Sequence, residues 1–237
     1  MIELTGYQDK HEYVNKHGVK SVVYLMDCMD AMAQMGDKEF GLACVDPPYG
    51  IGEDGRKGVR VSPSRPNSYL RKPKHKNKGW DNFAPDASYF DILKKISYNQ
   101  IIWGANHFID NIPFSLSSPC WIVWDKKNEG TDFADCELAW TSFKTAVRKF
   151  RVHKFEGTKG GKECIHPCEK PVALYDWIFH NYAKPNDTIF DSHCGSGSSR
   201  IAADKHNLPY LATELDPDYF YAHCKRFDRY TAQQTLF

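Results

Sequence analysis

Residues 46–50, Asp-Pro-Pro-Tyr-Gly, set a carboxylate, a proline carbonyl and an aromatic ring directly behind the apolar run Gly41-Leu42-Ala43-Cys44-Val45. The run predicts a short buried strand, and Pro47 and Pro48 end it because neither can donate to a sheet ladder. A loop held this way aims the Asp46 carboxylate and the Pro47 carbonyl at one planar amino group while Tyr49 stacks on the ring that bears it. The chemistry this suits is work on an exocyclic amine. Paired prolines also occur in ordinary turns, so the loop gains weight only from what accompanies it.

A second element stands far along the chain. Asp187-Thr188-Ile189-Phe190-Asp191 predicts a strand, Ser192 to Ser199 a turn containing Gly195 and Gly197, and Arg200 to Lys205 a helix. Glycines let backbone come close to a ligand, and the free amides of a helix start favour a negative group placed over them. The next apolar run, Leu208 to Thr213, ends in Glu214. That acid lies about twenty residues past the glycine turn, where a nucleotide-binding unit places a carboxylate for ribose hydroxyls. Against this stands the plain alternative of a solvated charge at a strand end.

Together these residues resemble the amino-group DNA methyltransferases that use S-adenosylmethionine. Asp46, Pro47, Pro48 and Tyr49 match the catalytic motif of that family. Phe190 and Asp191, with Cys194, Gly195, Ser196, Gly197 and Ser198, match its cofactor loop, and Glu214 follows at the expected distance. His166-Pro167-Cys168-Glu169-Lys170-Pro171 is similar to the family's His-Pro-x-x-Lys-Pro segment, which places Lys170 and Pro171 beside the cofactor. Ile101 to Asn106 and Trp121 to Lys126 are similar to family strands. Two departures bear on cofactor contacts: Ser192-His193 stands where Pro-Phe is frequent, and Cys168 where Thr is usual. The resemblance implies an α/β, doubly wound, mostly parallel sheet of Rossmann-like kind. Its motif order is the permuted one of the beta class, with the catalytic loop ahead of the cofactor loop. Such an order works if the strands ending at Val45 and Asp191 are neighbours at a switch point, since ligands sit outside the carboxyl ends of strands there. The strand at 21–26 then belongs to the cofactor half. Asp27 after it is placed near the adenine of the cofactor by the resemblance, and as N-cap of a helix over residues 28–35 by its position.

The expected reaction is methyl transfer from S-adenosylmethionine to N6 of adenine in DNA, with no covalent intermediate. Cytosine N4, an RNA substrate and a catalytically silent DNA-binding relative remain as alternatives. Restriction-modification is the expected setting. The target sequence, a restriction partner and the oligomeric state, a homodimer included, stay open.

Composition bounds the rest. At 237 residues, 41% hydrophobic and 14% aromatic, the chain suits a single methyltransferase domain. No long apolar run predicts a membrane span and no signal peptide is read, so a cytoplasmic protein is expected, with eight scattered cysteines as reduced thiols. Cys164, His166 and Cys168 lack a fourth ligand at recognisable spacing, so no metal is expected. A net charge of +1 excludes a generally basic nucleic-acid coat. DNA contact must then come from local clusters. One is an insertion over about 51–80 with Arg56, Lys57, Arg60, Arg71, Lys72 and Lys74, expected to order on DNA. The other is a recognition segment over about 144–165 with Arg148, Lys149 and Arg151. Charge runs are more often solvated faces, and only their place beside the catalytic loop argues otherwise. In the tail at 231–237, Gln233, Leu236 and Phe237 resemble the Gln-x-x-Leu-Phe peptide that docks on bacterial sliding clamps.

Overall fold

The computed structural model describes residues 1–52, 78–129, 134–154 and 165–234. Along the chain run β1 (Asp9–Val14), β2 (Lys20–Leu25), α1 (Cys28–Met32), β3 (Phe40–Val45), α2 (Ala87–Ile96) and β4 (Ser97–Trp103). Two single 3-10 turns, Ala105–His107 and Ile109–Asn111, precede β5 (Trp121–Asp125), β6 (Cys136–Thr141) and β7 (Arg148–Arg151). Then come α3 (Val172–Tyr182), β8 (Ile189–Asp191), α4 (Ser198–Lys205), β9 (Tyr210–Glu214) and α5 (Pro217–Gln234).

The strands form one sheet in the order β1-β2-β9-β8-β3-β4-β6-β5-β7. The five strands from β2 to β4 are mutually parallel, while β1 is antiparallel to β2 and β6 to both β4 and β5. A parallel strand is covered on both faces, which is why these segments read as unbroken apolar runs. Successive residues nevertheless go to opposite sides. Val23, Leu42, Cys44 and Tyr210 pack beneath Leu174 and Tyr175 of α3 and Ala202 and Ala203 of α4. Val22, Ala43, Val45 and Leu211 pack against Ala31 and Met32 of α1 and Phe90 and Leu93 of α2. The result is three layers, with the sheet between two sets of helices.

α2 follows the spacing of its sequence: Asp86 caps it by accepting from Ser88 N, and Phe90, Leu93 and Ile96 are buried. The helix after Asp27 is shorter than expected. It ends at Met32, because residues 33–34 turn and Gly36 N donates to the Glu39 carboxylate at 2.9 Å. The segment at 144–165 contains a regular element, the edge strand β7, parallel to β5.

The seam that matters is β3 beside β8, parallel, with Leu42 opposite Ile189 and Ala43 opposite Phe190. From β3 the chain leaves toward β4 on one side, and from β8 it leaves through α4 toward β9 on the other. Their carboxyl ends therefore face one crevice, as a switch point requires.

Candidate active site

Asp46 follows the last residue of β3, and its carboxylate is taken at both oxygens: Oδ1 accepts from the Tyr49 hydroxyl at 2.8 Å, Oδ2 from Lys170 Nζ at 2.5 Å. Lys170, on the turn before α3, is only 3% exposed. Its ammonium also lies 3.1 Å from Glu137 Oε2 and 3.2 Å from the Tyr49 hydroxyl. Glu137 Oε1 in turn meets Lys126 Nζ at 2.6 Å. Four charges of alternating sign thus run from the end of β3 to the rim beyond β5. Burial opposes ionisation of Glu137, but Lys170 and Lys126 override it and hold the acid near 2. Asp46 is pushed upward by burial against the pull of Lys170. Lys170, despite its burial, is held fully charged by Asp46 and Glu137.

The loop is held from two sides. Asp81, itself buried, accepts from Tyr49 N at 2.7 Å and Gly50 N at 2.9 Å through Oδ1, and its backbone carbonyl accepts from Gly52 N at 2.9 Å. The Tyr49 ring lies parallel to His107, centroids 5.1 Å apart. Gly104, at φ 69°, makes room for that ring: a Cβ there would sit 2.1 Å from Tyr49 Cε1.

On the neighbouring strand end the acids are satisfied differently. Asp191 is buried and accepts from the Ser199 hydroxyl at 2.6 Å, Tyr210 at 3.3 Å and His193 N at 3.2 Å. Burial pushes it up to about 6. Glu214 accepts from Gly195 N and Asp216 N, both at 2.9 Å, and burial raises it to about 7. Asp27 caps α1 by accepting from Met29 N at 2.7 Å, and Met26 N donates to the Glu214 carbonyl, so the two acids stand at adjacent strand ends. Gly195 and Gly197 have φ of 46° and 74°, and Gly197 also admits His223, whose Nε2 would lie 2.6 Å from a Cβ there. Ser192-His193 packs toward α2: the Ser192 hydroxyl bonds the Tyr89 hydroxyl at 2.6 Å and His193 Nδ1 at 2.8 Å. Burial keeps His193 neutral, at about 4.

The segment before α3 touches both loops. Lys170 goes to Asp46, whereas its neighbour Glu169 pairs with Arg226 at 3.2 Å. Arg226 donates to the Ser196 carbonyl at 2.7 Å and the Ser198 hydroxyl at 3.0 Å. The neighbours Glu169 and Lys170 thus reach opposite loops, and one tripeptide ending in Pro171, the N-cap of α3, spans the crevice.

Residues 117–225 match the family model described as DNA methylase. Over that stretch the chain is similar to the DNA methylase family. Among its relatives, a type II methyltransferase, M2.MboI of Moraxella bovis, is 22% identical over 251 residues, covering 88% of each chain. The putative methylase YubD of Escherichia coli (strain K12) is 22% identical over 203 residues, 81% of this chain and 84% of that one. Two solved structures share the fold. The M1.HpyAVI–SAM complex has TM-score 0.55 and 16% identity, covering 87% of this chain and 98% of that one. The PvuII DNA methyltransferase, cytosine-N4-specific, has TM-score 0.56 and 14% identity, covering 86% and 85%.

The sequence assigned the two loops but not what joins them. Lys170, read beside the cofactor loop, sits on Asp46. Glu137, Lys126 and Asp81 carried no motif. The available signal was weak: Glu137 is an acid directly ahead of the apolar stretch Leu138-Ala139-Trp140. Arg148, Lys149 and Arg151 are exposed on β7, and Lys149 and Arg151 each lie 3.5 Å from Asp125. Arg56, Lys57, Arg60, Arg71, Lys72 and Lys74 lie outside the described residues. Lys78, at the end of that insertion, bridges Asp216 and Asp218 at 2.7 Å. No described helix is long and apolar enough to cross a membrane.

Proposed function

We propose that this chain methylates N6 of adenine in DNA, using S-adenosylmethionine. The observation that carries the reading is the crevice itself: the Asp46 loop and the Gly195 loop leave adjacent parallel strands side by side. The donor set fits the cofactor. Gly195 and Gly197 adopt positive φ where backbone must pass close to a ligand, and Glu214 and Asp27 offer carboxylates at neighbouring strand ends. When bound, S-adenosylmethionine supplies an electrophilic methyl group on a sulfonium. Glu214 and Asp27 would take its hydroxyl and amine donors, with the amides at Gly195 to Ser198 around its charged end.

The protein's part of the chemistry is orientation. An adenine amine shares its lone pair with the ring and is a poor nucleophile. Hydrogen bonds from its two protons to Asp46 and the Pro47 carbonyl favour a pyramidal nitrogen and point the lone pair into the crevice, so positioning and electrostatics supply the rate. The nitrogen gains a carbon substituent and then sheds one proton, for which the Asp46 carboxylate is the nearest acceptor. The base must leave the duplex to reach this loop, at a cost of a few kcal/mol. The parallel His107–Tyr49 pair supports a stacking role for the Tyr49 ring. No cysteine nucleophile is required: burial keeps the Cys44 thiol, which ends one residue short of Val45, protonated.

Adenine is preferred over cytosine because Asp stands first in the Asp-Pro-Pro-Tyr motif, a leaning that comes from the resemblance. The test is sequencing with modification detection, plus nucleoside analysis, on DNA from cells expressing the protein. N6-methyladenine is expected; N4-methylcytosine would move the substrate, and neither would remove the activity. Contact with DNA through the basic segments, work in the cytoplasm and docking on a sliding clamp belong to the same proposal. For the clamp, Gln233 is exposed near the end of α5, while Leu236 and Phe237 lie outside the described residues. Clamp binding by the full chain, lost on removing the last five residues, is the expected result.

A further inference from the structure

Asp46 as found is a weakened acceptor. An ammonium at 2.5 Å draws off much of the carboxylate's charge, and the Tyr49 hydroxyl occupies its other oxygen. An amine arriving here competes with Lys170 for the very group that must activate it. A second carboxylate stands ready, since Glu137 Oε2 is already 3.1 Å from Lys170 Nζ and 3.5 Å from the Tyr49 hydroxyl.

We propose that Glu137 is a positioning residue that draws Lys170, and with it the Tyr49 hydroxyl, away from Asp46 as the target amine enters, so that Asp46 meets the amine as a full carboxylate. The proposal rests on the methyltransferase reading and deepens it. The exchange moves no proton and breaks no covalent bond: one charge-assisted hydrogen bond on Asp46 is traded for a stronger one on Glu137, and the amine fills the place vacated. The geometry supports it in three ways. Lys170 is buried and cannot turn to water instead. Glu137 lies near the start of β6, in the ladder opposite Trp124 of β5, so its backbone is a fixed station. Lys126 at 2.6 Å on the far oxygen keeps Glu137 ionised throughout, and the acid's low titration range agrees. Without Glu137, Asp46 would be the sole carboxylate partner of a buried ammonium, and that pair would tighten.

The test uses the full chain and Glu137→Gln, with labelled S-adenosylmethionine and a duplex carrying the site that modification sequencing identifies. Expected is a 10- to 100-fold lower kcat, about the worth of one charged hydrogen bond, with KM for DNA and cofactor affinity within about twofold of the parent. A second readout needs no turnover: cofactor-free protein is titrated with duplexes whose target base keeps or lacks its exocyclic amine, adenine against purine or cytosine against 2-pyrimidinone. The parent should favour the amine-bearing base and the variant should lose that preference. Should Glu137→Gln not fold, Glu137→Asp, which keeps every charge but retracts the carboxylate by one methylene, must show the same loss confined to kcat. Unchanged kcat, or a loss carried by KM with the amine preference intact, overturns the proposal. A parent protein that methylates no DNA overturns the methyltransferase reading beneath it, a result distinct from any behaviour of the Glu137 variants.

Discussion

The two loops of the crevice leave adjacent strands and each carries acids, yet they neutralise them by opposite means. At the end of β3, Asp46 and Glu137 share the buried Lys170, and Lys126 closes the row. At the ends of β8 and β9, Asp191 and Glu214 accept from hydroxyls and backbone amides, and among the described residues no cation bridges them. The first arrangement supplies its own positive charge; the second leaves buried acid that gains from a donor arriving from outside. Titration follows the division for Glu137, at about 2 against Asp191 at about 6 and Glu214 at about 7, but not for Asp46, which burial pushes upward on the first side as well. On the proposed function, one side acts and the other binds.

If that contrast holds, damage to the first loop should appear in rate and damage to the second in affinity. The largest effect is expected from Asp46→Ala: a fall in methyl transfer of at least ~10³-fold, with calorimetry showing nearly unchanged cofactor affinity. Near-normal turnover would break the assignment. Gly104→Val should follow, because its side chain would collide with Tyr49 and a misplacement of ~1 Å costs on the order of 10²-fold. Stopped-assay kinetics with the thermal midpoint measured in parallel would separate that loss from unfolding. Glu214→Ala should weaken S-adenosylmethionine by about 1.5–3 kcal/mol while leaving kcat at saturation near the parent value. Equal affinity in the calorimeter would remove Glu214 from the cofactor site.

The smallest effect concerns pH. With Glu214 titrating at about 7 in the free protein and accepting hydrogen bonds from the cofactor only when ionised, binding below that value must expel a proton. Affinity should therefore fall toward tenfold per unit as pH drops below 7 and level off above it. Glu214→Gln should flatten the dependence; an unchanged slope would assign it elsewhere. Stability linked to this residue has the opposite sign. Its folded value is raised above the ordinary 4.5, so the folded form holds the extra proton and the contribution fades as pH rises from 4.5 to 7.

What could be read from sequence was what is local along the chain. The Asp46 and Gly195 loops each pack strand end, turn and reactive group into a few consecutive residues, and the neighbouring of β3 and β8 followed from a sheet rule. The links between loops are through space: Lys170 reaches Asp46 across 124 residues and Tyr49 N reaches Asp81 across 32. No periodicity announces such pairs. β1 and β7 escaped for another reason. Both are edge strands, β1 polar along its length and β7 mostly basic, so neither shows the apolar run that marks a buried strand.

At the end of the sheet remote from the chemistry, Gly41 sits against Asp187, whose Oδ1 would lie 2.1 Å from any Cβ on that residue. Gly41 N and Leu42 N both donate to the Thr188 carbonyl, and Asp187 Oδ2 accepts from Lys184 N at 2.8 Å. This is where the β3–β8 alignment is locked, and only two residue pairs lie beyond it. A strand advances about 3.3 Å per residue, so a slip of one position would shift donor and acceptor by about the whole contact distance of a reacting pair. On the proposed function, the reach between the two substrates is thus set like the gauge of a railway, by a fastening at the far end of the track.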